Sequence, residues 1–144
     1  MKAKEYLMQI KKLDRLVENK LVELEQWKAL ATSVTQQLTP DRVQTSGNQQ
    51  KMADAVCKII EIEAELDACI DRLVNTRREV TKTLERLNAG YYDILHKVYV
   101  QGQTMDEYAL HSGKTYGWAK KKHSRALKRL QNVLDTEEGR NAGA

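Results

Sequence analysis

The sequence predicts an all-α protein in which a long antiparallel, coiled-coil-like helical hairpin precedes a smaller C-terminal helical module. Three observations predict it. The 144 residues include no Phe, one Pro and seven Gly, with aromatics at 6%, which is poor material for strands and tight turns and good material for long helices. Apolar side chains recur at seven-residue intervals through two long runs, the signature of helices that pack along a shared seam. A single polar stretch holding the proline separates those runs. With 41% apolar and 31% charged residues, the chain has core material for one compact domain or two small modules.

The first run places Ala3, Ile10, Val17, Leu24 and Ala31 on one row, and Tyr6, Leu13, Trp27 and Val34 on a second that Lys20 interrupts. Leu7, Leu16, Leu21 and Leu30 widen the apolar stripe beyond a narrow seam, so this helix is expected to meet more than one neighbour. In the second run Met52, Ile59, Leu66, Leu73, Val80 and Leu87 fall on a strict row flanked by Val56, Ile62, Ile70 and Leu84. Between them, residues 35–50 carry Pro40, Gly47 and many Ser, Thr, Asn and Gln residues, a connector that lets the chain double back. Asp41, Arg42 and Ser46 read as turn-forming residues of this connector. Residues 1–87 are thus expected to form a helical oligomerisation arm. Two helices cover only part of each other's stripe, and a second copy covering the remainder gives a homodimer. Cys57 and Cys69 read as small core-facing residues, too few for a disulfide scaffold and without metal-site spacing.

Function classes are excluded on similar grounds. Lys2, Lys4, Glu5, Lys11 and Lys12 at the start argue against a secretory leader, and no apolar run has membrane-spanning length. The expected setting is the cytoplasm of a bacterial cell. No glycine-rich phosphate loop, nucleophile motif or cluster of His and Cys ligands is present, so neither a cofactor nor an enzymatic activity is expected. His96, His111 and His123 are far apart in sequence and read as structural or solvated.

The C-terminal module occupies residues 88–134, with 135–144 expected as a flexible tail. Asn88-Ala89-Gly90 ends the second long run, and Tyr91–Val100 has the apolar spacing of a short amphipathic helix stopped by Gln101-Gly102-Gln103. Thr104 with Glu107 makes a capping box for a two-turn helix, Met105–His111. Ser112-Gly113-Lys114 then turns the chain, and Thr115 caps a last helix from Tyr116 to about Leu134. A short helix, a tight turn containing glycine and a longer basic helix make a helix-turn-helix layout.

Charge is concentrated there. The formal net charge of +4 hides a last helix in which Lys120, Lys121, Lys122, Arg125, Lys128 and Arg129 stand without an acid between Thr115 and Leu134. Such a block attracts a polyanion even from a nearly neutral molecule. On the helical repeat, positions 118, 122, 125 and 129 form one face and 117, 120, 121, 124 and 128 another. In a helix-turn-helix the start of the second helix meets base edges while flanking basic residues grip phosphates. The second face, joined by Thr115 and Tyr116, is the expected DNA side. The candidate DNA-binding residues are therefore Thr115, Tyr116, Lys120, Lys121, Ser124, Arg125 and Lys128, with Lys122 and Arg129 as further phosphate candidates. Trp118 reads equally as a base contact or a core plug, and Arg125 equally as a phosphate contact or the partner of an acid in the preceding helix.

The stretch GQTMDEYALHSGKTYGWAKKKHSRALKRL, Gly102–Leu130, resembles region four of bacterial sigma factors, especially the small extracytoplasmic-function type. Asp106, Glu107, Ala109, Gly113, Thr115, Lys120, Arg125, Ala126, Lys128, Arg129 and Leu130 fall at matching positions, and Tyr91–Val100 resembles the helix before them. The chain departs from that pattern at Ser112, Lys114, Ala119 and His123, where large aliphatics are usual, and Tyr108 and Trp118 are the candidates for the missing bulk. No sigma region two resembles anything in residues 1–87. The whole chain is similar to a small phage and prophage family of Gram-positive bacteria, of unknown function, related to phage late transcriptional regulators. The resemblance implies a transcriptional regulator that binds double-stranded DNA in a sequence-specific manner. The alternative it leaves open is a protein-interaction module that uses a sigma-like fold to bind RNA polymerase or another bacterial or phage protein.

Overall fold

The structure is a computed structural model, and it describes residues 1–37 and 46–142. It is all-α: α1 (Ala3–Gln37), α2 (Ser46–Leu84), α3 (Ala89–Leu95), a π-helical turn (His96–Val100), α4 (Met105–Ser112) and α5 (Tyr116–Ala142), with no strand among the described residues. No helix is long and apolar enough to cross a membrane. The connector expected at 35–50 is partly helical: α1 continues to Gln37 and α2 starts at Ser46. The turn readings of Pro40, Asp41 and Arg42 lie outside the described residues.

Contacts divide the chain into two compact units, Met1–Lys12 with the chain from Leu73 onward, and Leu13–Arg72. In the first unit, Ala3, Leu7 and Ile10 from α1 and Val80 and Leu84 from α2 share one core with Ile94, Leu95, Val98 and Tyr99 and with Tyr108, Ala109, Ala119, Ala126, Leu130 and Leu134. The driving force is ordinary apolar burial, about 1.5–3 kcal/mol for each large side chain removed from water. Polar ties follow the same seam. The Ala3 N–H donates to Gln131 Oε1 at 2.8 Å, Tyr6 and Thr83 hydroxyls meet at 2.9 Å, and Arg86 pairs with Glu137.

α2 ends at Leu84, short of the Leu87 that its apolar row suggests. The chain tightens there through Arg86 N–H to the Thr83 carbonyl (3.2 Å) and Leu87 N–H to the Leu84 carbonyl (3.0 Å). Asn88, extended at φ −64°, ψ 160°, then starts a new helix, its side chain accepting from the Tyr91 N–H; an Asn side chain satisfies an otherwise orphaned donor best at an N-cap. The following π turn closes through Gln101 N–H to the His96 carbonyl at 2.9 Å and buries Val98 and Tyr99. At the far end α5 runs through Ala142, beyond the expected stop near Leu134, and Leu134 is itself buried.

In the second unit, Leu24, Ile62 and Leu66 are buried together, with Val17, Trp27 and Ile59 partly buried against them. Lys20 pairs with Glu65, and Lys28 with Glu63 at 3.7 Å. Several apolar residues of this unit remain exposed, among them Leu16, Leu21, Leu30, Val56, Ile60 and Ile70. Cys69 is buried as expected, but Cys57 is exposed. It precedes the exposed Ile60 by one helical turn and so belongs to the face that Ile62 and Leu66 turn away from.

Candidate nucleic-acid interface

The pair α4 and α5 is built by three local devices, each legible in the residues. Thr104 is extended (φ −78°, ψ 162°) and its hydroxyl accepts from the Glu107 N–H at 3.1 Å, while Asp106 and Glu107 place negative charge in the first turn, where the helix dipole favours it. Gly113 ends α4 in the left-handed region (φ 68°), its N–H bonding back to the last turn. A side chain there would be strained, which is the reason for glycine. Thr115 starts α5 by accepting from the Trp118 N–H at 3.1 Å.

Beneath the turn the core is small at one position and large at the next. Ala119 is fully buried, and the bulk around it comes from Tyr108, also buried, whose ring stacks on Trp118 (centroids 6.0 Å apart, planes within 3°). Trp118 packs against the core from its edge, and its position is the plug rather than an open base-reading one. Lys122 is drawn into the same cluster. Its ammonium donates to the Tyr108 hydroxyl at 2.7 Å and lies 5.3 Å and 5.0 Å from the Tyr108 and Trp118 ring centres, where ring faces attract cations. Tyr108 in turn donates toward Asp93, which also takes Lys97 at 3.2 Å. Lys122 therefore serves packing, and its listing among phosphate candidates is corrected.

The seven candidates Thr115, Tyr116, Lys120, Lys121, Ser124, Arg125 and Lys128 are all exposed. Gly117, Lys120, Lys121, Ser124, Arg125 and Lys128 line one shallow depression along α5. Arg125 forms no ion pair with an acid of α4 among the described residues. Arg129 is exposed but lies by a different groove, with Arg86, Asn88 and Asn132. On the opposite side of α5, His123 is half-buried and its Nε2 meets the Tyr99 hydroxyl at 2.7 Å. Burial, and then the charges of Lys4 and Lys11, push its pKa below the ordinary histidine value.

The arrangement can present a row of fixed positive charge without intervening acids, backed by a rigid aromatic and alanine core. It offers nothing for covalent or metal chemistry: among the described residues no group of three or more His, Cys, Asp or Glu could hold a metal ion. What sequence reasoning missed is the Tyr108–Lys122–Trp118 cluster, although the i, i+4 spacing of Trp118 and Lys122 was a signal for their contact. No family model matches the chain, and no curated protein or solved structure matches it.

Proposed function

We propose that the protein is a sequence-specific transcriptional regulator of double-stranded DNA, of the phage type, acting in the cytoplasm of a bacterial host. In this reading α4 and α5 work as a helix-turn-helix like that of sigma region four, and α1 and α2 form an antiparallel hairpin through which two copies dimerise. The observation that carries it is the exposed face of α5, on which Lys120, Lys121, Arg125 and Lys128 stand with Thr115, Tyr116 and Ser124 immediately after a capped glycine turn. Dimerisation draws its support from Leu16, Leu21, Leu30, Ile60 and Ile70, exposed on the unit Leu13–Arg72; exposed apolar surface of this kind marks association sites.

Gel shift and footprinting against upstream DNA of its own genome test the first part. Lys120→Ala with Lys121→Ala should weaken binding and flatten its salt dependence, because each lost phosphate contact removes about one counterion from the slope. Where one of the pair reads a base, the loss falls on the preferred sequence at about 1–3 kcal/mol. Wild-type protein that shows only weak, sequence-blind attraction would overturn the reading. Sedimentation tests the second part, with about twice the 16.5 kDa chain mass expected at micromolar concentration and a single-chain mass counting against the dimer.

A second reading, a module that docks on RNA polymerase or another protein, is favoured by one feature. Leu110 on α4 is 78% exposed and shares its face with the exposed acids Asp106 and Glu107, a surface that suits a protein partner better than a phosphate backbone. Leu110→Ser that weakens polymerase binding while leaving duplex binding intact would assign that face to a protein.

A further inference from the structure

A second concave site lies in the first unit, away from the exposed face of α5. It is a cavity of about 330 Å³ where the first turns of α1, the π turn and the start of α4 converge, with His123 at its wall. Met8, Val98 and Met105 line it with apolar surface. Lys4 and Lys11 bring the charge, and the Lys11 ammonium sits 5.2 Å from the centre of the Tyr99 ring. The third component is a defect. Gln103 lines the cavity, held by its N–H bond to the Lys97 carbonyl at 2.9 Å, yet its side-chain oxygen is buried with no hydrogen-bond partner. A buried acceptor left unmade costs about 1–3 kcal/mol, and native proteins seldom carry one without use.

Apolar walls, a few converging polar groups and a volume near the lower end of ligand pockets are the ordinary makings of a small-molecule site. The ligand must be anionic for the two lysines, apolar in its body for the methionines and valine, and an N–H donor for Gln103. We propose that this cavity binds a mononucleotide whose base carries an amino group, with the phosphate on Lys4 and Lys11, the base against Met8, Val98 and Met105, and the amine donating to Gln103. The π turn contributes by placing Val98 and Tyr99 in the cavity wall, and departures of this kind from regular helix recur at functional sites. The proposal does not depend on DNA binding. It gives the protein an effector site that joins the N-terminal helix to α4 and α5 within one unit.

Isothermal titration of the full chain with adenosine monophosphate tests it. Saturable one-to-one binding is expected, weakened roughly tenfold or more when adenosine replaces the nucleotide or when Lys4→Ala and Lys11→Ala are combined. Purine riboside monophosphate, which lacks the amine, should bind more weakly than adenosine monophosphate to the parent, and this preference should vanish in Gln103→Leu. The ligand comparison on the parent needs no variant, so a folding defect in Gln103→Leu does not blunt the test. Lys120→Ala with Lys121→Ala should bind the nucleotide as the parent does. No heat at millimolar nucleotide overturns the proposal, and so does equal binding of the two monophosphates by the parent. Binding lost with Lys120 and Lys121 but kept without Lys4 and Lys11 would place the anion on the α5 face and overturn it equally.

Discussion

The two units use the same sequence device with different results. Both draw on the apolar rows of α1 and α2, yet Leu7, Ile10, Val80 and Leu84 are almost wholly buried while Leu21, Ile60 and Ile70 stand open. The difference is in what else is present. In the first unit α3, the π turn, α4 and α5 supply side chains around the helix ends. In the second, two helices bury a short strip centred on Leu24, Ile62 and Leu66. A seven-residue row reports which face of a helix is apolar; the number of partners decides how much of that face is covered.

The largest expected effect sharpens this contrast along one helix. Ile10→Asp puts a carboxylate where no water reaches and should cost several kcal/mol, a large share of a small domain's stability. Leu21→Asp, on the same helix but 44% exposed, should change the stability of the single chain by less than about 0.5 kcal/mol. Denaturant unfolding at concentrations where the chain is monomeric reads both. Equal losses would mean that the two units are packed alike, and the comparison would fail.

A middling effect is expected at the caps. Thr115→Ala removes the acceptor for the Trp118 N–H at 3.1 Å and should cost about 1 kcal/mol. Thr32→Ala in α1 removes only a hydroxyl that bonds back to the Lys28 carbonyl, a mid-helix habit that favours no particular start or stop. It should be neutral or slightly stabilising, since Ala is the better helix former. Thermal melts of the two variants give opposite signs if Thr115 is a true cap and Thr32 is not.

These caps also mark what was legible in the sequence. Thr104, Gly113 and Thr115 announce α4, the turn and α5 because their chemistry acts within four residues of themselves. The all-α class was legible for the same reason, as composition and periodicity are local. The π turn at His96–Val100 was not, since no residue there demands an i to i+5 bond. Nor was the packing of Ala3, Leu7 and Ile10 with Ile94, Leu95 and Leu130, because such partners are separated by most of the chain and any apolar stripe of matching shape would satisfy them. Within the candidate DNA face, exposure followed from the helical repeat. The diversion of Lys122 to Tyr108 depended on a side chain from α4 whose direction only the fold supplies.

The smallest expected effect separates the units by pH. His96, His111 and His123 all lie outside Leu13–Arg72, so the second unit lacks the side chain that titrates near neutrality. His123 is half-buried beside Tyr99, and burial, with Lys4 and Lys11, holds its pKa below 6.5. The unfolded chain therefore takes up this proton before the folded one does. His123 contributes its full stabilisation above the unfolded value, and that contribution drains away as the pH falls from about 6.5 through the lower folded value. Partial exposure keeps the amount small. Hydrogen exchange of amides around Tyr99 and Ala126 should speed up relative to those around Leu24 and Ile62 as the pH is lowered from about 7.5 to about 5.5, after correction for intrinsic rates. His123→Gln should remove most of that difference. A His123 titration midpoint at or above 6.5 by NMR would break the argument, because the folded chain would then hold the proton at least as well as the unfolded one and acid would not loosen this unit first.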